Sequence, residues 1–365
     1  MLVGGRIDLH DRIGGVHRRR IDVQPVAGLR PGLLEQWLGD ATGRDDIRLG
    51  DVLTGGNSNV TRLIETRQGR LVLRHPPVNV VSDKAAAGIE REYRAISALY
   101  GKAPVPKPVA WCGDASVIGQ PFAVTEWIDG HALSERLPPD WPQTTETIDA
   151  LGLAMVRGLA QVHALDWRET VDPGFGRPEG FVERQIARWL KVRENDAVRE
   201  LPLLAQIAAW LRAHEPQQPR ASVIHCDFHL DNCLMARTGP ELRAILDWEM
   251  ATLGDPRIDL GLCLFFWQRD AAASPGFAFV QGLSNRADVI SPRALADAWS
   301  EASGLGHDSI DYFIVFAAWR LAAIVEGAWV LQCQGKEDTA YARGLEHDVP
   351  ALLREAAAII DKGKV

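Results

Sequence analysis

The sequence predicts an α+β fold, with a small N-terminal lobe built on a mixed β-sheet and a larger, mainly helical C-terminal lobe. Three observations predict it. Runs of alternating apolar and polar residues, typical of strands, fill much of the first third of the chain around one amphipathic helix. Amphipathic helical patterns dominate after residue 146. One loop-and-strand segment, residues 222–249, interrupts those helices and concentrates His, Asp and Asn side chains.

The composition excludes several classes of protein. A chain of 365 residues can form two lobes, and its 46% hydrophobic and 24% charged residues are typical of soluble globular proteins. The formal net charge of −8 argues against nucleic acid as a partner, because phosphate backbones are bound through surplus Lys and Arg. Five scattered cysteines without a CxxC pair argue against a disulfide framework or structural zinc, and no apolar signal-peptide core follows Met1. We therefore expect a cytoplasmic protein.

The N-terminal third predicts a flexible tail at residues 1–26 and a lobe at residues 27–126. A short helix starting at Pro31 is expected to place Leu33, Leu34, Trp37 and Leu38 on one face. Alternation in Val60–Thr66 and Leu71–Arg74, with Gln68-Gly69 between them, predicts a β-hairpin. An amphipathic helix at Ser82–Tyr100 and a strand in FAVTEWI complete the lobe, which ends near Glu126.

Residues 127–365 are predicted to form the helical lobe. The expected helices are Thr147–Leu165, Phe181–Leu190 and Leu201–His214, with further long helices from Asp259 onward. Short strands are expected at Ser222–Ile224, at Cys233–Met235 and in a run ending at Leu246. The stretch Phe313–Leu331 is the most apolar in the chain, but Arg320 and Glu326 interrupt it. It therefore predicts a buried helix rather than a membrane span, and no membrane association is expected.

The candidate chemistry lies in VIHCDFHLDNCLM and LRAILDWEMATLGDPRIDL. Asp227, Asn232 and Asp247 are expected on loops beside strand ends. Phosphoryl transfer needs such a set, because a carboxylate must orient the attacking hydroxyl and hard oxygen ligands must hold Mg²⁺ against the phosphates. The spacing His225-x-Asp227-x4-Asn232 also matches the protein-kinase pattern H-R-D-x-x-x-x-N, with Cys226 in the Arg position. Asp247 begins the triplet DWE, which stands where kinases carry Asp-Phe-Gly.

Together these motifs resemble the aminoglycoside phosphotransferase and choline kinase superfamily, whose hallmark is H-G-D-x-H-x-x-N followed by I/L-D-W-E and G-D-P-x-x-D-L. This chain reads HCDFHLDN, LDWE and GDPRIDL, and departs from the hallmark at Cys226, where the family has Gly. The resemblance implies a protein-kinase-like two-lobe fold that uses Mg²⁺ and either ATP or GTP. It also implies that Asp227 is the catalytic base and that Asn232 and Asp247 bind Mg²⁺.

Other positions of the hallmark imply supporting roles. His225 and His229 would order the catalytic loop. Asp259 would anchor the backbone of that loop from the start of a buried helix, and Asp255, before Pro256, would cap the helix.

The resemblance also assigns a nucleotide-binding region in the N-terminal lobe. The segment LTGGNSNVTRLI resembles the family's phosphate loop, with backbone access at the glycines and hydrogen bonds from the polar residues that follow. Arg74 replaces the expected phosphate-binding Lys, and its carboxylate partner is expected to be Glu92, with Glu90 second; both could instead be solvated helix charges. Backbone groups around the hinge are expected to pair with the purine ring. The loop and hinge residues are Gly55, Gly56, Asn57, Ser58, Asn59, Glu126, Trp127 and Ile128.

Within the superfamily, residues 30–350 are similar to phosphotransferase domains related to those fused to some acyl-CoA dehydrogenases. LVLRHPP, REYRAISAL, APVPKPVAW and YFIVFAAWRLAAIVEG carry that similarity, and Arg in place of Lys is a feature of the branch. The branch implies a hydroxyacyl or other amphiphilic acceptor. The tryptophans of the C-terminal lobe suit such a substrate wherever they line a pocket, although most are expected in the core: Trp189, Trp210, Trp248, Trp267, Trp299, Trp319 and Trp329.

The sequence argues against several other classes of protein. The side chains of His225, Cys226, Asp227 and His229 lie too close in sequence to converge on one transition metal, and no Gly-x-Ser-x-Gly motif supports a hydrolase. GDPRIDL follows Asp247 so closely that no activation segment fits, which argues against a protein kinase. An aminoglycoside kinase and a nucleotide-binding scaffold without turnover remain open. The sequence does not decide between ATP and GTP, and it leaves the oligomeric state open.

Overall fold

A computed structural model of the chain describes residues 31–53, 59–76, 83–217, 220–269 and 282–362. The predicted tail, residues 1–26, lies outside the described residues. Contacts divide the chain into two compact units. The first ends at His131 and includes the later segment Arg243–Ala251, and the second comprises Ala132–Leu242 and Thr252–Val365. The boundary predicted between residues 126 and 127 stays a prediction.

The first unit is a five-stranded antiparallel sheet with helices. Its strands are ordered β1-β2-β3-β5-β4, and β2 and β3 form the predicted hairpin. The two-residue turn is Arg67-Gln68, and Gly69, with a φ of 121°, already begins β3. The elements are α1 (Pro31–Thr42), β1 (Arg48–Leu53), β2 (Val60–Thr66), β3 (Gly69–His75), α2 (Asp83–Leu99), β4 (Pro108–Cys112), α3 (Ala115–Ile118) and β5 (Phe122–Glu126).

Alternation along the hairpin gives this unit its core. Ile64, Leu71 and Leu73 share one face of the sheet and are fully buried with Leu34 and Leu38 of α1. The expected apolar face of α1 is therefore present, except that Leu33 is 41% exposed. Because side chains alternate along a strand, Arg74 points away from this core. That direction places it on the side of β3 where the polar groups of the candidate site lie.

The second unit is mainly helical. Strands β7 and β10 pair antiparallel. The short strands β6 and β9 each contain one of the points at which the chain passes from one unit to the other. The elements are β6 (His131–Ala132), α4 (Thr145–Ala164), α5 (Trp167–Thr170), α6 (Phe181–Asp196), α7 (Pro202–Ala213), β7 (Ser222–Ile224), β8 (Cys233–Met235), β9 (Leu242–Ile245), β10 (Thr252–Gly254), α8 (Arg257–Phe266), α9 (Pro292–Ser303), α10 (Ile310–Cys333) and α11 (Ala340–Lys362).

Helices α8 and α10 pack unusually closely. A Cβ at Gly261 would lie 2.6 Å from the backbone carbonyl carbon of Phe313, so only glycine fits at that position of α8. Helix α10 is long and apolar enough to cross a membrane, but 61% of its most apolar window is buried within the protein, as in a core helix. The two charged residues that interrupt its apolar stretch, Arg320 and Glu326, are buried and hydrogen-bonded to other side chains or backbone. Trp248, Trp267, Trp299 and Trp319 are fully buried, whereas Trp189, Trp210 and Trp329 are half-buried.

Candidate active site

In the first unit, one guanidinium holds two carboxylates. Arg74 Nη1 donates to Glu92 Oε1 at 2.7 Å, and Arg74 Nη2 donates to Asp247 Oδ1 at 2.9 Å. Glu92 lies on α2 and is almost completely buried, while Glu90 is exposed. Of the two helix carboxylates that the sequence offered, Glu92 is therefore the one that binds Arg74.

Asp247 is positioned by the backbone that follows β9. Its φ of 67° lies in the left-handed region, which non-glycine residues rarely adopt and which marks functional sites when the surroundings maintain it. Trp248 begins a short 3₁₀ helix, is fully buried, and donates its indole N–H to the Ile245 carbonyl at 2.8 Å. Arg91 of α2 donates to the Ala251 carbonyl at 3.1 Å. These contacts fasten the whole turn to α2.

The negative charges of the carboxylates around Arg74 outnumber its single positive charge. Burial raises the pKa of Glu92 to about 7, and the negative charges of Asp247 and Glu249 add to that rise against the opposing effect of Arg74. Burial lowers the pKa of Arg74, but the three carboxylates raise it more, so the guanidinium remains charged. The cluster therefore carries surplus negative charge that a cation would compensate.

Only the last residue of the predicted phosphate loop is among the described residues. Gly55, Gly56, Asn57 and Ser58 lie outside the described residues. Asn59 is 5% exposed and its Nδ2 donates a short hydrogen bond to Glu249 Oε2. The end of the loop is thus tied to the triplet that contains Asp247.

The predicted hinge follows β5. The carboxylate of Glu126 binds Lys107 Nζ at 3.0 Å and Arg44 Nη2 at 3.3 Å, so this side chain is occupied by basic partners. The Trp127 N–H donates to the Arg70 carbonyl at 3.1 Å. Ile128 is half-buried in the loop that follows. Their assigned role toward a purine ring would use backbone groups, and it stays a prediction.

In the second unit, Asp259 of α8 anchors the predicted catalytic loop, residues 225–232. Its two carboxylate oxygens accept the backbone N–H groups of His225 at 2.6 Å and Cys226 at 2.7 Å. Asp259 and His225 are fully buried. A buried carboxylate is stable only when hydrogen bonds replace its water shell, so this contact fixes the loop and the helix together.

Two residues that the sequence did not single out extend this anchor. His163 of α4 approaches Asp259 Oδ2 through Nε2 at 3.2 Å, and Trp299 of α9 donates its indole N–H to His163 Nδ1 at 3.2 Å. Because an indole nitrogen can only donate, Nδ1 must be the acceptor and Nε2 carries the proton given to Asp259. All three side chains are fully buried. They form a continuous chain of hydrogen bonds that links α9 and α4 to the catalytic loop.

Asp227, the candidate base, lies beside a histidine held between two carboxylates. His229 Nε2 is 3.6 Å from Asp227 Oδ2, and His229 Nδ1 is 3.9 Å from Asp231 Oδ1. Burial lowers the pKa of His229, but Asp227 and Asp231 outweigh it and raise the pKa to about 10.

The same contacts keep Asp227 ionised. Burial raises the pKa of Asp227, but the interaction with His229 and the nearby His225 and Arg320 bring it down to about 2. The Asp227 side chain is 46% exposed, so its ionised carboxylate remains accessible. It is suited to accept a hydrogen bond from a hydroxyl group.

Asn232 and Asp255 also have defined partners. Asn232 Nδ2 donates to the Asp227 carbonyl at 2.8 Å, which leaves Oδ1 as the oxygen available to a cation. Asp255 Oδ1 accepts the backbone N–H of Arg257 at 2.9 Å in the first turn of α8, and its carboxylate also binds the Arg257 guanidinium.

Each of the two predicted metal ligands carries a donor atom that suits Mg²⁺ better than a transition metal. Asp247 and Asn232 offer hard oxygen atoms, which Mg²⁺ prefers, and Mg²⁺ usually completes its shell with water and phosphate oxygens. Across the described ranges, no group of three or more His, Cys, Asp or Glu side chains could hold a metal ion.

Arg320 is a further residue whose position the sequence did not predict. It reaches from α10 to the catalytic loop, where Nη1 donates to the Cys226 carbonyl at 2.7 Å. Its one sequence signal was a charge within an otherwise apolar run. His163 and Trp299 gave no such signal, because their spacing is that of ordinary core positions on amphipathic helices.

A known protein family matches most of this chain. The sequence profile of the phosphotransferase enzyme family matches residues 51–297, which include β2, β3, the catalytic loop and α8. The chain belongs to this phosphotransferase family.

Relatives and solved structures extend the comparison. Acyl-CoA dehydrogenase family member 10 of Mus musculus is 31% identical over 297 residues, which are 79% of this chain and 27% of that protein. The chain spans about a quarter to a third of the length of the curated relatives it matches. A Ralstonia eutropha protein provisionally assigned as an aminoglycoside phosphotransferase has a TM-score of 0.76 at 26% identity, over 91% of this chain and 98% of that one.

A further solved structure is similar to this chain in its fold alone. An ethanolamine kinase of Plasmodium vivax is 14% identical and has a TM-score of 0.59 over 88% of this chain and 85% of that one. The α+β kinase-like fold and the resemblance predicted from the sequence, including the acyl-CoA dehydrogenase branch, are confirmed.

Proposed function

We propose that this protein is a small-molecule kinase that transfers the γ-phosphoryl group of ATP or GTP to a hydroxyl group of a metabolite. One observation carries the proposal: Arg74 binds Glu92 and Asp247 together, at 2.7 and 2.9 Å. Protein kinases need the equivalent ion pair between a basic residue and a glutamate to be in place for phosphoryl transfer. They also need a metal-binding Asp.

In the first unit, the proposal assigns Arg74 to the α- and β-phosphates. A guanidinium can bind phosphate oxygens in a bidentate manner, so Arg can serve where kinases use Lys. Asp247 is assigned as an oxygen ligand of Mg²⁺. Glu92 keeps Arg74 directed toward these groups, and Asn59, through Glu249, would hold the end of the phosphate loop near the same turn.

In the second unit, Asp227 is assigned to the acceptor hydroxyl. The hydroxyl oxygen attacks the γ-phosphorus, the bond to the β-phosphate oxygen breaks, and the nucleoside diphosphate leaves. The hydroxyl proton is taken up by Asp227 as the new P–O bond forms. With a pKa of about 2, Asp227 is ionised before transfer, so it orients the hydroxyl and accepts its proton only as the new P–O bond forms. Asn232 is assigned as the second oxygen ligand of Mg²⁺, which when bound neutralises charge on the transferred phosphate.

The expected acceptor is a hydroxyacyl compound or another amphiphilic alcohol. The support is the similarity to acyl-CoA dehydrogenase family members, whose names connect this type of domain with acyl chains. The solved structures of aminoglycoside 2'-phosphotransferase IIIa are 18% identical to this chain, a level that supports the fold and no transfer of their substrate.

The test is phosphate transfer from Mg·ATP and Mg·GTP to a panel of 3- and 4-hydroxyacyl-CoAs, aminoglycosides, choline and simple sugars, with Asp227→Ala as the blank. We expect transfer to one hydroxyacyl class, and none by the blank. Asp247→Ala should weaken Mg²⁺-nucleotide binding as well as rate. Transfer that Asp227→Ala retains would remove that residue as the base. Nucleotide binding without turnover on any acceptor would favour the scaffold.

A further inference from the structure

Arg320 is a buried cation that forms no salt bridge with a carboxylate in the described part of the chain. Its side chain is on α10, the residue is 6% exposed, and its Nε is buried without a hydrogen-bond partner. Among the residues that the structure describes, no carboxylate forms an ion pair with it, whereas the buried Arg257 and Arg269 both bind carboxylates. Burying an unpaired charge is costly, so its contact with the catalytic loop must offset that cost or be retained for function.

That contact is at a strained peptide. Cys226 has a φ of 67°, in the left-handed region, and occupies the position where the family hallmark has Gly. A non-glycine residue is strained in this conformation. Its N–H is held by Asp259 at 2.7 Å and its carbonyl by Arg320 at 2.7 Å. Two helices, α8 and α10, therefore hold opposite ends of the one residue that precedes Asp227.

The direction of the Asp227 side chain follows from that peptide. A rotation of the Cys226 carbonyl away from Arg320 would turn the next residue with it, because φ and ψ at Cys226 set the path of the chain. The close packing of α8 on α10 at Gly261 keeps the two holding groups at a fixed separation. Arg320 also stabilises the ionised Asp227 electrostatically.

We propose that Arg320 is a positioning residue: it holds Cys226 in the left-handed conformation and so directs the Asp227 carboxylate toward the acceptor hydroxyl. This inference rests on the proposed phosphotransfer function of Asp227.

The first arm of the test is kinetic. Arg320→Gln should lower kcat roughly tenfold to a hundredfold, as expected for one lost charge-assisted hydrogen bond, with KM for nucleotide and acceptor within about twofold. Arg320→Lys should restore part of the loss. Because glycine adopts the left-handed conformation without strain, the loss caused by Arg320→Gln should be smaller in a Cys226→Gly background. Equal losses in the two backgrounds would overturn the proposal.

The second arm does not depend on turnover. Hydrogen–deuterium exchange in the peptide covering residues 222–232 should accelerate in Arg320→Gln and less so when Cys226→Gly is also present. Arg269→Gln is the matched control, because Arg269 is equally buried but binds Glu355 of α11. It should lower stability without changing kcat or exchange in the loop. Where Arg320→Gln does not fold, Arg320→Lys carries the same comparisons.

The two arms separate the failure of this inference from failure of the proposed function. Wild-type protein without turnover on any acceptor would count against the kinase assignment, and the exchange comparison would still decide whether Arg320 holds the loop. Unchanged exchange at residues 222–232 in a folded Arg320 variant would overturn the positioning role.

Discussion

Arg74 binds Asp247 with the same guanidinium that binds Glu92, so the candidate metal ligand and the buried helix carboxylate share one cation. The contact is intermediate between a buried and a surface ion pair, because the Glu92 side chain is 4% exposed and that of Asp247 is 31% exposed. Removing Arg74 would therefore destabilise the ionised forms of the two carboxylates unequally. Asp247 could regain water, whereas Glu92 could not.

Arg74→Met should destabilise the protein more at pH 8 than at pH 6. The pKa of Glu92, about 7 with Arg74 present, should rise further without it. Because the folded state then binds a proton that the unfolded state releases, stability falls as pH rises through this range. We expect a loss of about 3–5 kcal/mol at pH 8, the usual cost of breaking a buried pair, and a smaller one at pH 6. Urea unfolding at the two pH values measures it.

The control for this prediction is the double variant Arg74→Met with Glu92→Gln. It removes the titrating group, so the difference between pH 6 and pH 8 should disappear. An equal loss at both pH values in Arg74→Met alone would show that Glu92 does not govern the effect.

Asp259→Asn should destabilise the second unit and loosen the catalytic loop. The amide can accept only through one oxygen, so its NH₂ group would face the N–H of either His225 or Cys226. A buried donor left opposing another donor costs at least the usual 1–3 kcal/mol for an unsatisfied group. Thermal unfolding should show the loss. Asp297→Asn, on the exposed face of α9, is the control and should change stability by less than about 0.5 kcal/mol.

The sequence predicted the parts of this protein whose information is local. The hairpin of β2 and β3 followed from alternation, and the motif around Asp227 followed from the order of its polar residues. The sequence of α10 did not indicate which group Arg320 contacts. Periodicity indicates which residues are buried, but not which groups they contact. The pairing of His163 with Asp259 joins residues 96 positions apart, and no local pattern encodes it.

Trp299→Phe tests whether that distant hydrogen-bond chain reaches the loop. Phenylalanine removes the indole donor and leaves His163 Nδ1 buried without a partner, at a cost of about 1–3 kcal/mol. Trp319→Phe is a matched control, because its indole N–H donates to the Leu204 carbonyl at 2.8 Å in an equally buried position. Both variants should lose stability, but only Trp299→Phe should accelerate hydrogen exchange at His225 and Cys226. Similar exchange at these amides in the two variants would contradict the chain.

His229 should remain protonated through neutral pH. With its pKa raised to about 10, its contribution to stability is fully present below about pH 6.5, the usual value for the unfolded state, and is lost as the pH rises through 10. In protein labelled with ¹³C-histidine, one imidazole resonance should therefore show the protonated shift and no titration between pH 5 and pH 9. His229→Gln should remove that resonance.

Asp227→Asn tests whether the carboxylate of Asp227 is one cause of the raised pKa of His229. It removes one of the two negative charges that face the His229 ring, while Asp231 on the other side is retained. The same resonance should then titrate at a lower pH than in the wild-type protein, because burial disfavours the imidazolium and only one carboxylate opposes it. A histidine that titrates near pH 6.5 in both proteins would show that Asp227 and His229 do not form an ion pair. Asp227 would then have to be kept ionised by Arg320 and His225.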